Sequence, residues 1–163
     1  MARRVFFSFH YERDIWRANQ VRNSWVTKPD REAAGFWDAA EWEKVKRQGE
    51  DAVKRWIDRN LEETSVTVVL IGAETANRKW VNYEIKKSYQ RGNGILGIYI
   101  HKLKDQNGNR DKKGKNPLDN FYIKQGEKIM YLSEIYPTYD WIDDNGYDNI
   151  GYWIEKAAKK AGR

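Results

Sequence analysis

The chain has 163 residues, no cysteine, two histidines and a formal net charge of +6. This length predicts one domain, residues 1–163, that buries a core without covalent cross-links. The lack of cysteine excludes disulfides, thiol nucleophiles and thiolate metal sites, and His10 and His101 alone give no basis for a metal centre. Leu, Ile, Val and Phe make up only about one fifth of the chain. The eight tryptophans and ten tyrosines must therefore supply much of the core.

Neither a secretory signal nor a membrane helix is predicted. The apolar run Val5–Phe9 is too short for the core of a signal peptide. No stretch approaches the roughly 18 consecutive apolar residues of a transmembrane helix. Together with the lack of cysteine, these features favour a cytoplasmic protein.

The chain opens with a predicted strand at Arg3–His10, where β-branched and aromatic residues are bounded by charge. Apolar residues at helical spacing predict a helix over Asp14–Trp25. Thr27–Gly35 contains proline and glycine and is predicted to be a loop. Gly35–Ala39 is a short, weak candidate for the second strand.

The middle of the chain carries the strongest periodic signals. A broad apolar face predicts one long helix over Glu41–Leu61, which Gly49 weakens internally. Thr64–Ile71 is apolar at nearly every position, which is typical of a strand buried on both faces of a parallel sheet. A helix is predicted next, over Arg78–Gln90, and a glycine-rich turn closes it. A buried strand over Ile95–Ile100 follows.

The last third begins with Lys102–Asn120, a polar, basic segment that we interpret as a long loop inserted into the domain. Lys128–Leu132 and Ile135–Trp141 are short extended candidates, and Gly146–Ala161 is a closing helix. Strands that alternate with helices predict an α/β fold with a mostly parallel sheet. We expect the five-stranded flavodoxin-like order 2-1-3-4-5 with helices on both faces.

The positive charge is concentrated in the inserted loop and in the C-terminal tail. No nucleic-acid-binding motif accompanies it, so a solvated loop and a solvated helix end are the favoured interpretation. Nucleic-acid binding through Lys112, Lys113 and Lys115 remains the alternative, and no membrane partner is expected.

Open parallel sheets bind ligands at the carboxyl ends of strands, where the strand order reverses. In the expected order this point lies between the first and third strands. Phe9, His10 and Tyr11 follow the first strand and are expected to line the crevice. Asp38 follows the second strand and is expected to flank the opening.

The helix Arg78–Gln90 carries the candidate chemical groups. Trp80 and Glu84 are four residues apart, so they share one helix face, and Tyr83 lies beside them. An aromatic platform next to a carboxylate at the rim of a crevice predicts a ligand site. In the alternative, Glu84 pairs with Lys87 on the surface and Trp80 covers the edge of the core.

Other catalytic motifs are absent from the sequence. There is no G-x-G-x-x-G after the first strand and no G-x-x-x-x-G-K-[ST], so neither the dinucleotide fingerprint nor the P-loop is present. Ser8 and His10 are two residues apart on a strand with no orienting acid in view, which argues against a serine hydrolase.

Three motifs, in order, resemble those of TIR domains: the opening V-F-F-S-F, the F-W-D of Phe36–Asp38 and the K-W-V-N-Y-E-I of Lys79–Ile85. The last is similar to the W-x-x-x-E motif of NAD-consuming TIR domains. The segments RRVFFSFHYERD, TSVTVVLIG and YDWIDDNGYDNIGYWI are similar to TIR-like proteins of bacterial Thoeris anti-phage systems.

The resemblance implies a TIR fold and cleavage of the nicotinamide–ribose bond of NAD, which is substrate rather than cofactor. It further implies formation of a cyclic ADP-ribose isomer that activates a separate effector protein. By position, Glu84 would be the catalytic carboxylate and Trp80 would pack against the ligand. Phe9, His10 and Tyr11 would border the nucleotide, and Asp38 matches the second-strand aspartate. Tyr83 is expected to join Trp80 in lining the pocket.

Another function is open to the same fold. A TIR-like chain can serve as a non-catalytic interaction module or scaffold that assembles with partners, including other copies of itself. His10 and Tyr11 occupy positions where many TIR domains carry arginine or arginine–glycine. The resemblance therefore does not determine the detailed role of this loop.

Overall fold

The structure, a computed structural model, describes residues 2–163. The strands are β1 (Arg3–Ser8), β2 (Arg31–Ala34), β3 (Val66–Ile71), β4 (Gly94–Tyr99), β5 (Tyr122–Gln125), β6 (Lys128–Tyr131) and β7 (Thr138–Asp140). Five of them form one parallel sheet in the order β2-β1-β3-β4-β7, which confirms the expected α/β topology. The helices are α1 (Tyr11–Val26), α2 (Ala39–Arg47), α3 (Glu50–Leu61), α4 (Lys79–Arg91), α5 (Leu132–Ile135) and α6 (Gly146–Lys160), with 3₁₀ turns at Thr75–Asn77 and Pro117–Asn120.

Helices cover both faces of the sheet. Because side chains alternate along a strand, Phe7 packs on the face of α1 and α6, whereas Phe6 packs on the face of α2 and α3. The central strand β3 is buried at all six positions, as its continuous apolar run predicts. The tryptophans and tyrosines contribute to the cores on both faces. Within residues 2–163, no helix has the length and apolarity needed to cross a membrane.

The second strand lies earlier than predicted. It occupies Arg31–Ala34, inside the segment expected to be a loop, and the prediction of Gly35–Ala39 is wrong. The sequence REAA has little intrinsic strand preference, so pairing with β1 decides its conformation. Gly35 then leaves the strand with φ of +91°, and a Cβ at this residue would overlap the carbonyl oxygen of Phe7. Phe36 is thereby directed against the ring of Phe9, with the two centroids 4.9 Å apart.

The predicted long helix is two helices. Gly49 has φ of +101°, in the left-handed region, and stands as the N-cap residue between α2 and α3. The expectation of one helix over Glu41–Leu61 is therefore wrong, because Gly49 breaks the helix rather than weakening it. The break lets the two helices pack against each other over the face of the sheet that carries Phe6.

The backbone of the basic segment Lys102–Asn120 is held by hydrogen bonds from α1, so the segment is not a freely solvated loop. Arg17 of α1, only 3% exposed, donates to the carbonyl of Leu103 at 2.8 Å and to that of Asn109 at 2.9 Å. Arg17 also pairs with the fully buried Asp14 at 3.0 Å. Most of the segment's lysines remain at the surface. The segment therefore contributes backbone to the interior while its charges face outward.

Two details of the last third also differ from expectation. The strand predicted at Lys128–Leu132 is present as β6, but it pairs in an antiparallel hairpin with β5, which sequence reasoning missed. The segment Ile135–Trp141 was expected to be extended throughout. In the structure it begins at the end of α5 and includes only the three-residue edge strand β7.

Candidate active site

A buried hydrogen bond joins the end of β1 to α4. The hydroxyl of Ser8, the last residue of β1, donates to Oε1 of Glu84 at 2.7 Å. Ser8 is fully buried and Glu84 is 6% exposed. Val81, Ile85 and Ser88 form the buried stripe of α4, and Glu84 lies beside that stripe, turned toward the sheet. The alternative in which Glu84 pairs with Lys87 at the surface is wrong.

Burial raises the pKa of Glu84 from 4.5 to about 8, since a carboxylate without water is costly. The Ser8 hydroxyl and the positive charge of Arg78 act in the opposite direction and favour the ionised form. Without a ligand, Glu84 is therefore mostly protonated at neutral pH. A buried carboxyl with a shifted pKa, at the carboxyl end of a parallel sheet, is the usual signature of a functional group.

An open cavity of about 420 Å³ lies at the same end of the sheet. It is bordered by the loop after β1, the middle of α2 and the start of α4. Its lining residues are His10, Glu12, Trp42, Lys46, Glu74, Asn77, Arg78, Lys79 and Trp80. Three cations and two carboxylates therefore surround a cavity that also has two indole walls. Glu84 is not among the lining residues, so its carboxyl lies close to the cavity but covered.

Arg78 is the central cation of this cavity. Its guanidinium is 2.5 Å from the carboxylate of Glu12 and stacks over Trp42 at 5.9 Å from the ring centroid. Arg78 stands at the N-cap position of α4 but provides no side-chain cap, so the first N–H groups of this helix depend on other acceptors. The cavity thus combines a guanidinium with an uncapped helix N-terminus, two features that attract anions.

Of the predicted site residues, His10 and Trp80 line the cavity. His10 Nδ1 accepts a hydrogen bond from the N–H of Arg13 at 3.3 Å and thereby caps α1. Burial and the nearby charge of Arg78 lower the pKa of His10, which keeps the imidazole neutral at pH 7. Ser8 and His10 bond to different partners, in agreement with the argument against a serine hydrolase.

The other predicted residues lie around the cavity without lining it. Phe9 is buried in the core beside Phe36. Tyr11 packs against Trp42, with ring centroids 5.9 Å apart. Asp38 caps α2 by accepting the N–H of Glu41 at 2.7 Å. Tyr83 donates to Asp58 of α3 at 2.9 Å and so joins α3 to α4. These residues hold the helices that form the walls.

Sequence reasoning missed three residues of this region: Ser8, Arg78 and Trp42. The hydroxyl of Ser8 lies inside an apolar strand, a position that signals a buried hydrogen bond rather than a nucleophile. Arg78 directly precedes the motif that contains Trp80, and its position at the start of a helix is readable from the sequence. Trp42 carried no signal that separates it from ordinary core residues.

The parallel sheet, the strand order and the buried carboxyl at the switch point define a TIR-like α/β domain. The family model described as "Thoeris protein ThsB, TIR-like domain" matches residues 6–105. The chain belongs to this family. It is 41% identical, over 191 aligned residues, to a Bacillus cereus (strain MSX-D12) protein named "Putative cyclic ADP-D-ribose synthase ThsB1". The alignment covers 94% of this chain and the whole of that relative. The resemblance to Thoeris TIR proteins is thereby confirmed.

Proposed function

We propose that this chain is an enzyme of anti-phage defence that cleaves the nicotinamide–ribose bond of NAD and closes the remaining ADP-ribose into a cyclic signal. The observation that carries the proposal is the buried pair of Ser8 and Glu84 beside an aromatic, cationic cavity. Membership of the ThsB family and the name of the Bacillus cereus relative support it.

The reaction needs little acid catalysis. Nicotinamide is already cationic in NAD, so the C–N bond breaks with its electron pair going to the nicotinamide nitrogen. The ribose carbon then becomes oxocarbenium-like, and a carboxylate beside it stabilises the developing charge, as in glycosidases. A nucleophilic atom of the same ADP-ribose attacks that carbon, and one proton is released. Glu84 is proposed as this carboxylate.

Substrate binding would ionise Glu84. Burial dominates in the structure and raises the pKa of Glu84 to about 8. A pyridinium ring placed beside the carboxyl is an opposite charge, which lowers the pKa and favours the carboxylate. The carboxyl is covered in the structure. We therefore propose that substrate binding displaces the side chains between the carboxyl and the cavity. The ionised carboxylate of Glu84 then lies beside the ribose carbon whose positive charge it stabilises.

The cavity walls suit the rest of the dinucleotide. Trp42 and Trp80 provide ring faces for the base or the nicotinamide, and they exclude the water that would give linear ADP-ribose. We propose that Arg78 and Lys46, which line the cavity, contact the pyrophosphate. We assign His10 to the rim, whereas Phe9, Tyr11, Asp38 and Tyr83 hold the walls.

The product is proposed to diffuse to a separate effector protein in the cytoplasm, where NAD is abundant. TIR enzymes that this chain resembles can need a trigger or self-assembly for activity. The assay must therefore include conditions that promote both. We propose that residues 1–163, including the inserted segment Lys102–Asn120, form one TIR-like domain.

The experiment is incubation of wild type and Glu84→Gln with NAD, at several protein concentrations and in lysate from phage-infected cells, with mass spectrometry of the products. Wild type should release nicotinamide and a cyclic ADP-ribose isomer. Glu84→Gln should keep its fold by circular dichroism and lose about 1000-fold or more in rate. Glu127→Gln, in the exposed hairpin turn, is the matched control and should react at the wild-type rate.

Two results would contradict the proposal. Equal NAD consumption by wild type and Glu84→Gln would remove Glu84 from the chemistry. A wild-type chain that assembles in infected lysate yet turns over no NAD would instead support the non-catalytic interaction module.

A further inference from the structure

A second cavity, of about 950 Å³, lies at the opposite end of the sheet from Glu84. Gly94 and Ile95, at the amino end of β4, and Pro137, just before β7, are among its lining residues. All pairs in the central sheet are parallel, so this end is remote from the carboxyl ends of β1 and β3. The proposed NAD reaction makes no use of this cavity.

The edge of β4 that faces β7 is unpaired at its amino end, which lies in this cavity. Even-numbered residues of this strand bond to β3, as in the 3.0 Å bond from the Gly94 N–H to the Ser65 carbonyl. Odd-numbered residues face β7, as in the 3.0 Å bond from the Gly97 N–H to the Pro137 carbonyl. Ile95 is odd-numbered, and within residues 2–163 neither its N–H nor its C=O has a hydrogen-bond partner. A donor and an acceptor of one buried residue are left side by side.

Two residues explain why the pairing stops there. Pro137 has no N–H and so has no donor for the Ile95 carbonyl. The carbonyl of Ile135, the next acceptor along that edge, receives the ammonium of Lys160 at 3.2 Å instead. Unpaired buried backbone groups are uncommon because each costs free energy comparable to a lost hydrogen bond. A ligand that supplies both an acceptor and a donor would satisfy them.

The remaining lining groups provide three further kinds of contact. Aromatic rings come from Tyr89, Tyr136, Tyr139 and Trp153. Lys156 and Lys160 are one helical turn apart on α6, so their ammonium groups share a face. The carboxylate of Glu134 also lines the cavity. Asn93, only 2% exposed, is another lining residue, and its Oδ1 accepts no hydrogen bond from residues 2–163.

We propose that this cavity is a second, non-catalytic binding site for a nucleotide. A base edge that offers a donor beside an acceptor pairs with the Ile95 backbone, and the ring face packs on the tyrosines. The ribose hydroxyls donate to Glu134, and the phosphate binds Lys156 and Lys160. Its volume is within the range of small-molecule pockets, which combine mostly apolar walls with a few placed polar groups. The proposal is independent of NAD turnover at Glu84.

The test is a titration of the full chain with AMP, GMP, CMP and UMP, followed by calorimetry and by ¹H–¹⁵N NMR. At least one mononucleotide should bind with a Kd below about 1 mM and shift the Ile95 amide resonance. Lys156→Ala with Lys160→Ala should weaken that binding about tenfold or more. Lys159→Ala, on the same helix but outside the cavity lining, is the matched control and should change it less than twofold.

A further variant distinguishes binding at this cavity from binding at the cavity near Glu84. Arg78→Ala alters the cavity near Glu84 and should leave this nucleotide binding unchanged. The inference is overturned if none of the four mononucleotides binds, if the paired lysine variant binds as wild type does, or if binding is lost in Arg78→Ala instead. An acidic extended peptide that shifts the Ile95 amide while no mononucleotide does would also overturn it, in favour of strand addition at the β4 edge.

Discussion

Ser8 and Glu84 are 76 positions apart in the chain and share a buried 2.7 Å hydrogen bond. The bond is possible because β1 ends at Ser8 and the second turn of α4, which contains Glu84, packs against this end of the strand. The serine hydroxyl is the only side chain of residues 2–163 that donates to this carboxyl. Its effect on the ionisation of Glu84 can be measured.

Ser8→Ala should shift the pH dependence of NAD cleavage. The hydroxyl favours the ionised form of Glu84, so its loss raises the pKa of that carboxyl above about 8. If the carboxylate is the active form, the acidic limb of the rate profile moves to higher pH, while the plateau at high pH is retained. Initial rates of nicotinamide release between pH 6 and about 10 measure it.

Ser65→Ala is the control for this variant, because Ser65 accepts from Arg3 at the far end of the sheet. Its rate profile should match that of wild type. A uniform loss of rate in Ser8→Ala, with no shift along the pH axis, would show that Ser8 is needed for packing rather than for tuning Glu84.

The burial of Glu84 also predicts a pH-dependent stability. The pKa of this carboxyl is higher in the folded chain than in the unfolded chain, so the folded state binds more protons between pH 4.5 and about 8. Its contribution to the free energy of unfolding therefore falls as pH rises through that window, at up to about 1.4 kcal/mol per pH unit. Glu84→Gln has no such proton to lose.

The measurement is urea unfolding of wild type and Glu84→Gln at pH 5, 6, 7 and about 8. The stability of the variant relative to wild type should increase with pH. Subtracting the two chains removes the contributions of other titrating groups, including Asp14, whose pKa is also raised by burial. A difference that stays constant across these pH values would show that Glu84 is hydrated and ionised in the folded protein.

Removal of Arg17 should destabilise the chain strongly. Arg17→Met leaves Asp14 without its cation in a fully buried position, which costs about 3 kcal/mol or more. The variant also frees the backbone of the segment Lys102–Asn120 from α1. Adding Asp14→Asn removes the buried charge and should recover part of the loss. Thermal unfolding of the single and double variants measures this.

Arg110→Met, which removes a cation from an exposed position of the same segment, should change the unfolding temperature little. Equal stability of Arg17→Met and wild type would mean that the inserted segment is held by other contacts.

Gly49→Ala should lower the free energy of unfolding by roughly 1–2 kcal/mol, because alanine at φ of +101° is strained. A Cβ at this position meets no atom within 4 Å, so backbone strain is the whole effect. Gln48→Ala, one residue earlier in right-handed helical conformation, is the matched control. If Gly49→Ala is as stable as wild type, α2 and α3 merge into the single helix that the periodicity predicts.

Most of the fold was predictable because its signals are local. The run VTVVLI and the helical spacing in α4 and α6 identify their elements without any knowledge of neighbours. The second strand could not be identified in this way, since REAA becomes a strand only by pairing with β1. The break at Gly49 depends on how two helices pack over one sheet face, which a periodic pattern does not contain.

The sequence likewise predicts which residues of the candidate site lie near each other along one element, but not their contacts across the fold. Spacing along one helix placed Trp80 and Glu84 together, and the strand order placed His10 near them. The contact of Ser8 with Glu84 joins residues far apart in the chain, so no local pattern reveals it. The capping role of Asp38 and the bond from Tyr83 to Asp58 likewise follow from helix positions that only the folded chain defines.

The aromatic residues that compensate for the low aliphatic content have one more consequence. Half of the eight tryptophans, Trp37, Trp42, Trp56 and Trp80, belong to the cluster on the sheet face of Phe6. Two of these indoles line the cavity near Glu84. If NAD binds in this cavity, the nicotinamide ring would quench the fluorescence of these two indoles, so binding can be followed without a label.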